Sequence, residues 1–121
     1  VDAPCSGVGT VRRDPDIRWR RAVTDFPALA RVQVDLLRRV VPLLAPGGRI
    51  VYSTCSSEPE ENEAVLATFL AETREFRVLP LEEVEGLSPR VLAMGTRDGY
   101  LRTTPAHGLE AFFGAVIEKA R

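Results

Sequence analysis

The segment between Leu29 and Thr54 constrains the fold more than any other part of the chain. Apolar residues recur at Leu29, Val32, Leu36, Val40 and Leu43, with Leu37, Val41 and Leu44 widening the stripe. Spacings of three and four put them on one face of a helix. Asp25-Phe26-Pro27 supplies a cap and a first-turn proline, and Pro42 should kink or end the helix early. Immediately afterwards "APGG", residues 45 to 48, turns the chain into Arg49–Thr54. There Ile50, Val51 and Tyr52 are consecutive and apolar, as in a parallel strand covered on both faces. The stretch "VDAP" at the start reads as the end of an earlier strand. A helix-length connection between two strands demands a right-handed crossover and parallel pairing.

The pattern then repeats. Ser57-Glu58-Pro59-Glu60 fits a capping box, so that Glu60, Glu61 and Asn62 read as helix-start residues. The helix that follows carries Val65, Leu66, Phe69 and Leu70 on one side and should fade near Arg74. "FRVLP", residues 76 to 80, is a further strand, and residues 81 to 99 form a long irregular connection with four glycines and prolines. "YLRTTP" is a short strand. The closing "AFFGAVIEK" follows without an intervening helix, so it should run antiparallel. The expected class is α/β, with a mostly parallel sheet and an antiparallel last strand.

At 121 residues the chain is one domain or part of one. It opens with Val1-Asp2 rather than methionine, and is expected to be a fragment. No apolar run approaches the roughly 18 residues of a membrane helix, and no signal peptide is present, which makes the cytoplasm the expected compartment. Two cysteines and one histidine do not make a disulfide scaffold or a zinc site. A net charge of −1 argues against coating nucleic acid by bulk electrostatics. Between Val11 and Arg21, however, five arginines face two aspartates.

Both cysteines follow a strand. Cys5 lies in "VDAPCSGVGT", residues 1 to 10, and Cys55 in "IVYSTCSSEPEEN", residues 50 to 62. In open parallel sheets ligands bind beyond the carboxyl ends of the strands. Neighbouring strands lie about 5 Å apart, which would let the two thiols face one small planar substrate. A helix start just after Cys55 would favour its thiolate, with Glu58, Glu60 and Glu61 opposing. Cysteine is also a common core residue, so packing is the plain alternative; a redox pair is a third. Other templates fail. Six residues separate Cys5 from Arg12, one too many for a Cys-x5-Arg phosphate loop, and Gly7-Val8-Gly9 lacks the third glycine of a dinucleotide fingerprint. No Gly-x-Ser-x-Gly occurs, and His107 reads as a loop residue rather than a base.

"VDAPCSGVGTVRRDPDIRW", "LLAPGGRIVYSTCSSEPEENEAVLATFL" and the tail "LRTTPAHGLEAFFGAVIEK" together resemble the Nol/Nop/Sun family of RNA cytosine methyltransferases. The likeness is nearest to the bacterial Sun type, which acts on small-subunit ribosomal RNA. It covers nearly all of the chain except residues 81 to 99. The resemblance implies the C-terminal part of a Rossmann-like class I S-adenosylmethionine-dependent methyltransferase fold, with residues 1–121 as one portion of a single catalytic domain. It implies methyl transfer from S-adenosylmethionine to carbon 5 of an RNA cytosine through a covalent cysteine–cytosine intermediate. By motif match Cys55 is the nucleophile, Cys5 assists product release, and Asp2 contacts the base and lies against the cofactor. Pro4 and Ser6 fall in the substrate-facing loop, with Pro4 fixing its shape and Gly7 and Gly9 letting RNA approach. Arg12, Arg13, Arg18, Arg20 and Arg21 would contact phosphates and Trp19 would pack or stack; a solvated arm is the alternative. The expected partner is ribosomal RNA, the enzyme is expected to be monomeric, and no metal is called for. The family's Gly-rich cofactor loop and ribose-binding acid are not in these residues, and its usual Asp-Gly before the closing Phe-Phe stands here as Glu110-Ala111. A non-catalytic RNA-binding or assembly module derived from such an enzyme is the second functional reading.

Overall fold

The computed structural model describes residues 1–10, 16, 19, 22 and 25–121. Helix α1 runs over Asp25–Val40, and a single 3-10 turn at Val41–Leu43 carries Pro42. Proline lacks the amide that the next helical bond requires, so the α-helix stops two residues before it. Strand β1 is Arg49–Thr54, a 3-10 turn occupies Pro59–Glu61, and helix α2 spans Glu63–Glu72. Strand β2 is Phe76–Leu79; a 3-10 turn at Leu81–Glu83 and the one-turn helix α3, Pro89–Leu92, punctuate the expected irregular connection. Strand β3 is only Leu101–Arg102, and β4 is Phe113–Lys119.

Strand β4 is the centre of the sheet. It pairs antiparallel with β1 along its length, from Arg49 opposite Glu118 to Thr54 opposite Phe113. On its other edge it pairs antiparallel with β2 and with the short β3. The closing strand is antiparallel, as expected, and β1 and β2 run in the same direction. They are not neighbours, however, because β4 lies between them. The one parallel contact among the described residues is at the start of the chain. Asp2 bridges Ser53, with Ala3 N donating to Ser53 O and Ser53 N to Val1 O, both at 2.9 Å. The segments that lead into the two cysteines are therefore adjacent and parallel.

Burial in β1 alternates: Ile50, Tyr52 and Thr54 are buried while Val51 is 59% exposed. The expectation that three consecutive apolar residues would be covered on both faces does not hold for these residues. Ile50 and Tyr52 join Ala115 and Ile117 of β4 in one buried cluster with Val34 and Leu37 of α1 and Val65, Leu66 and Phe69 of α2. Both helices thus cover the same sheet face, and Val51 points the other way. Across the cluster Phe69 meets Phe76 edge-on at 5.4 Å between ring centroids, and Tyr52 meets Phe113 at 6.4 Å.

Phe69 has no exposed surface and joins α2 to β2. Phe69→Ala should destabilise the fold by about 3–5 kcal/mol through lost burial and a residual cavity. Urea unfolding followed by far-UV circular dichroism measures it; a loss below about 1 kcal/mol would place the core elsewhere.

Candidate active site

Cys55 lies one residue beyond β1 and Cys5 three residues beyond the parallel bridge of Asp2 to Ser53, which brings the two segments together. Cys5 Sγ and Cys55 Sγ are 3.1 Å apart, both half-buried and both free thiols. That separation is a sulfur hydrogen bond rather than a covalent bond, which requires about 2.05 Å. The sulfurs share one location at the carboxyl ends of the strands, as the sequence led us to expect.

What holds the pair is a polar cluster beneath it. Glu61 has no exposed surface. Its Oε1 accepts from Ser6 N at 2.7 Å and from Gln33 Nε2 at 3.3 Å; its Oε2 accepts from Ser6 Oγ at 2.7 Å and also from Ser56 Oγ. Gln33 Nε2 donates in addition to Pro4 O at 3.0 Å. Asn62, equally buried, accepts from Thr54 Oγ1 at 2.5 Å and donates to Ser56 O at 2.9 Å. The residues on both sides of each cysteine are thereby fixed, leaving the thiols as the outward groups. The main chain adds a further tie. Gly9 N donates to Cys55 O, and Ala111 N to Gly9 O, both at 3.0 Å.

Several expectations are corrected here. Glu61 and Asn62 do not serve as capping side chains, and Glu58 at the start of the 3-10 turn makes no side-chain cap bond. The Ser57 hydroxyl donates to the neighbouring Glu58 carboxylate at 3.3 Å, so the capping box is not formed. Ser6 is 1% exposed and donates to Glu61 through both its amide and its hydroxyl. Pro4 is exposed on the loop. Gly9 is required by internal packing, since a Cβ there would lie 2.0 Å from Ala111 O and 2.7 Å from Cys55 O. Approach of RNA is not needed to explain it. Gly7, at φ 74°, makes the left-handed turn that glycine favours. Asp2 is exposed at the strand end, within 3.4 Å of Ser53 Oγ. His107 accepts from Thr104 N through Nδ1 at 3.1 Å and closes a surface turn, a loop role as expected. Glu110-Ala111 also closes well: Thr103 Oγ1 donates to Glu110 O at 2.5 Å and accepts from Phe112 N at 2.9 Å. Arg12, Arg13, Arg18, Arg20 and Arg21 lie outside the described residues; Trp19 is 78% exposed.

The geometry has a chain-wide counterpart among known proteins. The family model for 16S rRNA methyltransferase RsmB/F matches residues 1–118. The chain belongs to the RsmB/F family. A probable ribosomal RNA small subunit methyltransferase B of Synechocystis is 39% identical over 121 residues, covering 99% of this chain and 26% of that protein. The chain thus spans about a quarter of the length of the curated relatives it matches. A solved methyltransferase homolog from Pyrococcus horikoshii is 34% identical with a TM-score of 0.72, covering 98% of this chain and 37% of its own. NSun6 from the same organism, solved with SFG, is 26% identical with a TM-score of 0.74, covering all of this chain and 29% of its own. The sheet and helices described above are accordingly part of a Rossmann-like methyltransferase fold. Among the described residues no group of three or more candidate ligands could hold a metal ion, and no helix is long and apolar enough to cross a membrane.

In this RsmB/F chain the resting nucleophile candidate is a thiol. Burial pushes Cys55 up from the ordinary 9.0 to about 12; the hydrogen bond and the charge of Cys5 add to the shift, Asp2 contributes, and a backbone hydrogen bond opposes it. The expected help from a helix start is absent because α2 begins at Glu63, after the intervening 3-10 turn. With the neutral form favoured, the thiolate fraction is small at neutral pH and grows as pH rises from about 9 towards 12. Alkylation of Cys55 by iodoacetamide, followed by peptide mass spectrometry, should accelerate across that window. Cys5→Ala removes two of the raising causes and should shift the profile to lower pH. An unchanged profile would separate the two thiols electrostatically.

Proposed function

We propose that these residues form the reacting part of an S-adenosylmethionine-dependent RNA cytosine carbon-5 methyltransferase acting on 16S ribosomal RNA, as part of a single catalytic domain. The observation that carries the reading is the 3.1 Å approach of Cys5 and Cys55 at the carboxyl ends of adjacent parallel strands. Its support from relatives is the RsmB/F membership and the rRNA methyltransferase names of the curated proteins. NSun6 was solved with SFG, an analogue of the methyl donor, which supports the same cofactor here.

The chemistry requires two thiols with different duties. Carbon 5 of cytosine is too weak a nucleophile to accept a methyl group unaided. Cys55 gives its thiol proton to water, its thiolate Sγ bonds to carbon 6, and the ring's carbon–carbon π pair becomes available at carbon 5 as an enamine. Asp2, exposed next to this strand exit, would hydrogen-bond the ring nitrogen where charge develops. S-adenosylmethionine, when bound, supplies an electrophilic methyl group on a positively charged sulfur. Asp2 fits such a cationic, hydroxyl-bearing group as an exposed carboxylate at the strand end, where it accepts from Ser53 Oγ at 3.4 Å; the remaining contacts belong to the family's Gly-rich loop, outside these residues. After methyl transfer water takes the carbon-5 proton, and the pair of that C–H bond restores the ring double bond. This step breaks the Cys55–carbon 6 bond and returns the thiolate. Cys5, in contact with the departing sulfur, assists that release.

In the full-length protein Cys55→Ala should abolish methylation, by at least about 10³-fold, as expected for loss of a covalent nucleophile. Cys5→Ala should instead leave a denaturant-resistant protein–RNA adduct, because addition survives while release fails. Transfer of labelled methyl groups and denaturing gel electrophoresis read the two outcomes. Methylation persisting in both variants would remove the basis for the assigned roles.

A further inference from the structure

We infer that Glu61, supported by Gln33, is a positioning residue that sets the distance between the two reacting sulfurs and thereby the release half of the reaction. The inference rests on the functional reading above for its chemistry, but its geometry stands independently. Cys55 is held by several means besides Glu61: strand β1, the two bonds made by Asn62, and the Gly9 amide on its carbonyl. Between Ala3, which is tied to Ser53, and Gly9, which is tied to Cys55, the Cys5 loop is held on its two flanks by Gln33 on Pro4 O and Glu61 on Ser6 N and Oγ, and further along by Thr10 Oγ1 on Gly7 O. Cys5 lies between those two anchored residues.

A carboxylate suits the position because it is acceptor-only and here meets donors alone: one main-chain amide, one side-chain amide and two hydroxyls. Glutamine keeps the shape and one acceptor, and the two serine hydroxyls can turn to accept from its amide. Alanine removes the acceptor that Ser6 N and Ser6 Oγ share. Loss of Glu61 should therefore free Cys5 more than Cys55, so that addition to the base continues while release slows.

The test reads the sulfurs directly in the full-length protein, with diamide as the oxidant. Diamide takes two electrons and two protons from the Cys5–Cys55 dithiol, giving one disulfide and the corresponding hydrazine. Wild type and Glu61→Gln should form the intramolecular disulfide at rates within about threefold, and Glu61→Ala at least about tenfold more slowly, as expected for an ångström-scale misplacement. In the RNA assay Glu61→Ala should accumulate adduct, as Cys5→Ala does, with Glu61→Gln restoring turnover. If Glu61→Ala does not fold, Ser6→Ala and Gln33→Leu decide, each weakening one of the two anchors. Unchanged disulfide rates in folded Glu61→Ala, or in both milder variants, would overturn the inference. Slowed cross-linking without any adduct would retain Glu61 as the positioning residue for the thiols and defeat the RNA chemistry instead.

Discussion

Everything reactive in this structure depends on a single buried carboxylate. Removing a carboxylate from water costs several kcal/mol unless its lone pairs are met, and Glu61 is met from four sides. Those four donors come from three separate parts of the chain: Ser6 in the first cysteine loop, Gln33 in α1, and Ser56 in the second cysteine loop. The requirement to satisfy one charge thus forces two loops and a helix to converge. Tyr52 strengthens the arrangement from below, donating its buried hydroxyl to Glu61 O at 2.7 Å. Above these buried polar groups the two cysteine sulfurs meet at 3.1 Å.

The sheet explains why this convergence occurs at a strand end and at no other place. Parallel neighbours bring equivalent exits to the same edge, and Asp2 and Ser53 set that register directly. Strand β4 then fixes β1 along its full length by antiparallel pairing, from Arg49 to Thr54. A residue that follows Thr54 has little freedom to drift. The loop before β4 adds to the site through Ala111, whose amide meets the Gly9 carbonyl and whose own carbonyl leaves no room for a side chain at Gly9. Three loops are laced together there, so the Glu110-Ala111 pair is accommodated by main-chain bonds that do not depend on glycine.

Much of this was legible in the residues. The periodicity from Leu29 to Val40 gave α1, Pro42 marked its end, and the absence of a helix before "AFFGAVIEK" indicated an antiparallel last strand. The matched placement of Cys5 and Cys55 indicated a shared site. Insertion of β4 between β1 and β2 was not legible, because strand order is decided by long-range pairing and not by local pattern. Glu61 and Asn62 were misread for a related reason. Acidic and amide residues after a proline are what a helix start contains, and only tertiary contact turns them inward. Gln33 did carry a signal: it stands between Val32 and Val34, next to a buried position of α1, where a polar side chain needs a partner.

The protonation of Cys55 follows from the same design. A thiol held by buried neighbours is positioned accurately, but burial also favours its neutral form. A helix start beside the sulfur would relieve that conflict; here the 3-10 turn at Pro59–Glu61 separates them and carries two further acids. Placing Glu61 within that turn brings the loop anchor to where it is needed and, for the same reason, moves α2 away from the thiol. The described residues thus bias Cys55 towards its neutral thiol.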